Sequence, residues 1–312
     1  MFETSLRTLE AALRAQEPTL ILEKGAVMAG YTTLHLGGPA DLMAHPATPA
    51  QLQLLLREAK KHDVPVTIIG HGSNLLVKDG GIRGLVIRIC REMKNLEVSG
   101  DTIRAEAGVM MSMLAMAAAN NSLGGLTFAS GIPGTIGGGV YMNAGAYGGE
   151  LSQVVTLVEG FDMDGEPFCY TGKEMNFSYR HSRLMEESKV ITHVTVKLHP
   201  ARQEELMAEM VLLNRQRAEK QPLTLPSAGS TFKRPVGGYA SALVDQCGLK
   251  GCQVGGAQVS EKHGGFLVNK GGTAADFLAL IAHVQQVVLK EKGVQLEPEV
   301  RILGEDAPVV SV

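Results

Sequence analysis

Apolar positions recur along the chain with two periods. Leu6, Leu9 and Leu13 are spaced for one face of a helix. Leu52, Leu55, Leu56 and Ala59 make a second stripe, with Thr48 placed as its N-cap and Pro49 in its first turn. Phe277, Leu278, Ile281, Val284 and Val288 make a third, over Ala274–Lys292. Helices are also expected over Met111–Asn120 and over 202–220, the latter ended by Pro222 and Pro226. Short apolar or alternating runs predict strands at 41–44, Val66–Ile69, 85–89, Leu96–Ser99, Thr102–Glu106, 190–198 and 295–303. Segments 154–162 and 166–170 flank Asp164-Gly165, a hairpin signal. The opening strand–helix–strand is a βαβ unit, whereas the middle of the chain pairs antiparallel. Residues 227–272 read as polar and glycine-rich.

With 312 residues there is room for two or three domains. Apolar residues make up 45% and charged residues 20%, as in an ordinary globular protein. The net charge of −3 and the scattered Lys and Arg argue against a nucleic-acid surface. No stretch has the run of apolar residues a membrane span needs, and the first sixteen residues lack a signal-peptide core. The expected location is the cytoplasm. Cys90, Cys169, Cys247 and Cys252 show no C-x-x-C spacing, so no metal site is expected and buried free thiols are the default. The methionine-rich run VMMSMLAMAAA, beginning at Val109, is explained by a helical core segment.

Two glycine-rich stretches carry the chemistry. GHGSNLLV begins at Gly70, after a predicted strand. GIPGTIGGGVYMNAGAYG runs from Gly131 to Gly148. Glycine allows positive φ and close backbone approach, and successive N–H groups in such turns form an anion-binding concavity. The interleaved Ile136, Val140, Tyr141 and Met142 distinguish the second stretch from a flexible linker. The G-x-x-x-x-G-K-[ST] and G-x-G-x-x-G fingerprints are both absent. A pyrophosphate held by both loops suits FAD, and equally other dinucleotides.

GHGSNLLV, GIPGTIGGGVYMNAGAYG, FSYRHSRL, AGSTFKRP, AQVSEKHGGF and LEPEVRILG occur in that order. Together they resemble the UDP-N-acetylenolpyruvoylglucosamine reductase family, from about Tyr31 to Gly304. The resemblance implies an α+β chain: an FAD-binding fold of the vanillyl-alcohol-oxidase (PCMH) type in two subdomains, residues 1–84 and 85–205, then an α+β substrate-binding domain, residues 206–312. The compact length matches the shorter type of the family. The implied activity is NADPH-driven, FAD-dependent reduction of UDP-N-acetylglucosamine enolpyruvate to UDP-N-acetylmuramate for peptidoglycan. FAD would be non-covalent, NADPH a co-substrate sharing the substrate cleft, and the protein a monomer.

The same resemblance implies site residues. Ser230 matches the proton donor, Arg180 the arginine paired with the substrate carboxylate, and Glu299 the catalytic glutamate. An arginine fork suits a carboxylate or enolate. A glutamate beside an enolate must be protonated or engaged by a cation. From the first loop Gly70, His71, Gly72, Ser73, Asn74 and Leu75 are expected on the cofactor. From the second loop come Ser130, Pro133, Gly134, Thr135, Gly137, Gly138, Asn143 and Gly145. Tyr179, Lys233, Lys262 and Asn269 are expected on the substrate, with His263 nearby. Arg234 stands where the family commonly has asparagine. Two other readings are a different non-covalent flavin oxidoreductase of the same fold and a non-catalytic nucleotide-binding scaffold.

Overall fold

A computed structural model describes Phe2 to Ala307; the outer limits of the expected domains, residues 1 and 312, lie outside the described residues. The chain forms two compact units. Of the described residues, the first comprises 2–24, Leu42–His71 and Gly84–Gln216; the second comprises Gly25–Asp41, Gly72–Arg83 and 217–307.

The first unit holds α1 (Phe2–Gln16), α2 (Pro49–Lys61), α3 (Met111–Asn120), α4 (Ile136–Tyr141) and most of α5 (Gln203–Lys220). Thr48 caps α2 by accepting the Gln51 N–H, with Pro49 in the first turn, as its sequence implied. Leu52, Leu55, Leu56 and Ala59 are fully buried. A four-stranded sheet runs in the order Ile21–Val27, Pro39–His45, Ile82–Arg88, Val66–Ile69, the last two parallel. The two strands of the expected βαβ unit are therefore not neighbours, since Ile82–Arg88 lies between them. A five-stranded antiparallel sheet follows the order Pro167–Thr171, Val155–Asp162, Lys189–Lys197, Thr102–Glu106, Leu96–Ser99. Its first two strands are the hairpin across Asp164-Gly165.

The methionine run divides between core and surface. Met111 is buried in α3, but Met113 and Met116 are exposed. Of the cysteines only Cys90 is buried, and Cys169 is exposed, against the expectation of buried thiols.

The second unit was the least legible. Its expected polar stretch folds into a four-stranded antiparallel sheet, Ser227–Ser230, Phe266–Asn269, Ala257–Val259, Gln253–Val254, together with α6 (Ala240–Gln246). The strands are short and broken by glycines, so their alternation is hard to see. The helix α7 (Ala274–Lys292) buries Phe277, Leu280, Ile281, Val284 and Val288, while Leu278 is only half-buried. Its N-terminus has a Thr273–Asp276 capping box, and the Asp79 carboxylate also accepts the Ala274 and Ala275 N–H groups, at 2.9 and 3.0 Å. The expected strand 295–303 shrinks to Arg301–Leu303, parallel to Leu75–Val77. Pro298 interrupts it because proline has no N–H for a ladder. Among the described residues no helix is long and apolar enough to cross a membrane.

Candidate active site

In the first unit the two glycine loops converge on Thr135. A Cβ built on Gly70 would lie 2.6 Å from Thr135 Oγ1. The same oxygen accepts the Gly138 N–H at 3.4 Å, making Thr135 the N-cap of α4. The glycine stretch is thus partly helix, which three consecutive glycines disfavour by propensity. Packing overrides propensity here. A Cβ on Gly137 would come within 2.8 Å of Ala107 Cβ, and one on Gly139 within 3.0 Å of Leu151 and Met111.

The expected row of anion-seeking N–H groups is partly committed elsewhere. Ile136 and Gly137 donate to the Val109 and Ala107 carbonyls at 2.7 and 2.9 Å. What the loop offers is bare backbone at Gly138, which is exposed, and whose added Cβ would meet nothing nearer than Thr135 Oγ1 at 3.6 Å. Gly134 has φ +134, a conformation open to glycine. A surface cleared of side chains beside a threonine fits a flat, phosphate-bearing cofactor such as FAD. Ser130, at the start of the stretch, accepts Asn214 Nδ2 from α5, and Tyr147 near its end donates to the Leu213 carbonyl of the same helix. Pro133 is exposed.

His71 is half-buried with Nδ1 4.0 Å from Cys90 Sγ. Burial, then the positive Arg88 and Arg91, lower its pKa, so the ring is neutral near pH 7. Asn143 is fully buried; its Nδ2 donates to the Ser178 carbonyl and its Oδ1 accepts the Ser152 N–H. Its side chain therefore builds the site and presents nothing outward. Ser178 and His181 close a tight turn with Tyr179 and Arg180 at its tip. Arg180 has φ +54, donates from Nη2 to the Gly145 carbonyl at 3.1 Å, and lies 5.1 Å from the Tyr179 ring centre. Gly145 must be glycine, since a Cβ would lie 2.5 Å from the Gly149 carbonyl.

In the second unit Ser230 ends its strand, exposed, after Gly229 at φ +77. The adjoining Thr231 carbonyl accepts the Glu299 N–H at 2.7 Å, and Lys233 N–H donates to the Glu297 carbonyl at 2.8 Å. Segments 230–233 and 297–300 thus run side by side. Glu299 is half-buried; Glu297 is exposed and forms an ion pair with Lys233 at 3.3 Å. Gly72, Ser73, Asn74 and Leu75 belong to this unit, and Asn74 Nδ2 donates to the Glu299 carbonyl at 3.2 Å. A Cβ on Gly72 would sit 2.1 Å from the Tyr31 carbonyl.

Asn269 holds its own loop: Nδ2 donates to the Leu34 carbonyl and Oδ1 accepts the Gly271 and Gly272 N–H groups. His263 Nδ1 accepts the Gly265 N–H, and burial lowers its pKa. Lys262 reaches the Ala218 carbonyl at 2.6 Å and borders a cavity of about 270 Å³ with Pro222, Gln258, Ser260 and Lys270. Arg234 stacks on the exposed Tyr239 ring at 4.5 Å. The bonds that Asn74 and Thr231 make to Glu299 were not anticipated. Their only trace in the sequence is that Asn74, Thr231 and Glu299 each belong to one of three motifs of the family resemblance.

A family model described as an FAD binding domain matches residues 40–168. The fold and site therefore define a flavin-dependent oxidoreductase with an FAD-binding part and a C-terminal α+β part. A second family model, described as the UDP-N-acetylenolpyruvoylglucosamine reductase C-terminal domain, matches residues 221–303. The chain is 46% identical over 300 residues to the UDP-N-acetylenolpyruvoylglucosamine reductase of Latilactobacillus sakei, covering 96% of this chain and 98% of that one. It is 49% identical over 277 residues to the Pediococcus pentosaceus enzyme, covering 88% and 92%. The crystal structure of the Thermus caldophilus enzyme superposes with TM-score 0.80 at 35% identity, over 91% of this chain and all of that one. The chain belongs to the UDP-N-acetylenolpyruvoylglucosamine reductase family.

Proposed function

We propose that this protein reduces the enolpyruvyl ether of UDP-N-acetylglucosamine enolpyruvate to the lactyl ether, with Ser230 as proton donor. Bound FAD would supply the hydride chemistry, with NADPH as the source and C3 of the enolpyruvyl group as the acceptor. The negative charge that then develops at C2 spreads into the carboxylate as an enolate. Arg180 offers its guanidinium fork to that carboxylate. Ser230 gives C2 its proton, and Glu299, protonated or held by a cation, completes the proton-handling pair.

The backbone cleared at Gly138, with Thr135, Gly134, Gly70 and His71, would hold the cofactor. Tyr179, Lys233 and Lys262 serve the substrate, and the cavity beside Lys262 takes part of its nucleotide. Asn143 and Asn269 act by shaping loops, since their amides are satisfied within the protein. The flavin part comprises residues 1–84 and 85–205, and the substrate part 206–312. The enzyme works as a cytoplasmic monomer, with NADPH and substrate using one cleft in turn.

The observation that carries this reading is the stitching of Ser230's strand end to Glu299 through the Thr231 carbonyl, which joins two motifs far apart in sequence. A rapid-mixing experiment tests it. In Ser230→Ala, bleaching of the flavin absorbance by NADPH should stay near the wild-type rate. Its recovery on adding the enolpyruvyl sugar nucleotide should slow by ~10²–10⁴-fold, the usual worth of a general acid. Cysteine at the same place should restore part of the rate, since a thiol is the stronger acid. Wild-type recovery in Ser230→Ala would remove Ser230 from the mechanism.

A further inference from the structure

The segment that carries Glu299 is not held as a strand. Pro298 has only an isolated bridge to Phe232, and regular pairing begins at Arg301. The Glu299 peptide is instead gripped from both sides. Its N–H donates to the Thr231 carbonyl at 2.7 Å, and its carbonyl accepts Asn74 Nδ2 at 3.2 Å. The Asn74 carbonyl accepts the Arg301 N–H at 3.0 Å. Thr231 is locked in turn: it is 5% exposed, its N–H donates to the Gly265 carbonyl, and its Oγ1 accepts the Leu267 N–H. With its peptide fixed at both ends, Glu299 keeps only its side-chain torsions, so the backbone grip sets where the carboxylate can reach.

We propose that Asn74 is a positioning residue for Glu299: its amide fixes the Glu299 peptide and thereby the carboxylate beside Ser230. This rests on the reading of Ser230 and Glu299 as the proton-handling pair. The role differs from the cofactor contact that the GHGSN motif implied. A cofactor contact affects flavin retention and both half-reactions, whereas a positioning role affects the second half-reaction through Glu299. The Arg301–Asn74 bond is main chain to main chain, so changing the Asn74 side chain loosens Glu299 without removing that bond.

The test uses holoenzyme variants Asn74→Ala, Asn74→Asp, Glu299→Gln and the double variant Asn74→Ala/Glu299→Gln, with rates expressed per bound FAD. In Asn74→Ala, bleaching by NADPH should stay within about twofold of wild type. Recovery with the enolpyruvyl sugar nucleotide should slow about tenfold, the scale of one lost hydrogen bond. Asn74→Asp should be no better, because an ionised carboxylate cannot donate to a carbonyl. The double variant should be no slower than Glu299→Gln alone, since a residue acting only through another adds nothing once that one is gone. Amide hydrogen exchange, measured with and without FAD, should accelerate at 299–301 in Asn74→Ala and stay unchanged in α7. Wild-type recovery in Asn74→Ala, additive losses in the double variant, or unchanged exchange at 299–301 would each overturn the proposal. Wild-type recovery in Glu299→Gln would instead overturn the reading of Glu299, and this proposal with it.

Discussion

Substituting Gly138 separates a ligand surface from a folding requirement. Its neighbours in the stretch cannot do so. At Gly137 a Cβ would lie 2.8 Å from Ala107 Cβ and 3.0 Å from its carbonyl oxygen, so alanine there overpacks the interior. Such a change costs about 1–3 kcal/mol whatever is bound. At Gly134, φ +134 strains any side chain. At Gly138 a Cβ meets only Thr135 Oγ1 at 3.6 Å, an ordinary contact. Replacing a helical glycine with alanine then favours the apoprotein by about 0.5–1 kcal/mol.

The apoprotein of Gly138→Ala should melt about 2–4 °C higher than wild type, the shift 1 kcal/mol brings to a unit of this size. The apoprotein of Gly137→Ala should melt lower. FAD affinity should fall in Gly138→Ala and fall further in Gly138→Val, because each methyl would occupy the surface proposed for the cofactor. Apoprotein melts and a titration with FAD, followed by flavin fluorescence, measure both quantities. Wild-type FAD affinity in Gly138→Val, with an intact melt, would refute the cradle.

Arg180→Lys should slow absorbance recovery by about 10–100-fold, the value of one charge-assisted hydrogen bond, and rapid mixing should show bleaching unchanged. Asp79→Ala should lower the melting temperature by an amount matching about 1 kcal/mol, because α7 loses a carboxylate on two of its first N–H groups. Glu187 gives a pH test. Hydrogen bonds from Lys189, then Arg183 and Tyr170, lower its pKa from 4.5 to about 2. The folded value is depressed, so its contribution is complete above 4.5 and is lost as pH falls through about 2. The stability gap between wild type and Glu187→Gln, from denaturant melts, should therefore close between pH 4.5 and pH 2.

The helices with a full apolar stripe could be read from the chain itself. Leu52, Leu55, Leu56 and Ala59, behind Thr48 and Pro49, determine α2 locally, because cap and stripe lie within a few turns. The hairpin at Asp164-Gly165 is local in the same sense. The motif order likewise carried the family and the residue types that chemistry needs. Long-range pairing decided the rest. Nothing near Gly137 in sequence says that Ala107 will press against it, so a run that looked like an open loop became a helix with its first N–H groups already bonded. The short strands of 227–272 have no recognisable alternation until they lie beside one another. The amides of Asn143 and Asn269 looked available for a ligand, but their partners, Ser178 and Leu34, lie far along the chain. Asn74 and Glu299 belong to motifs at opposite ends of the sequence. Their hydrogen bond exists because the parallel pairing of Leu75–Val77 with Arg301–Leu303 brings the two motifs together, and strand pairing between distant segments is a property of the folded chain.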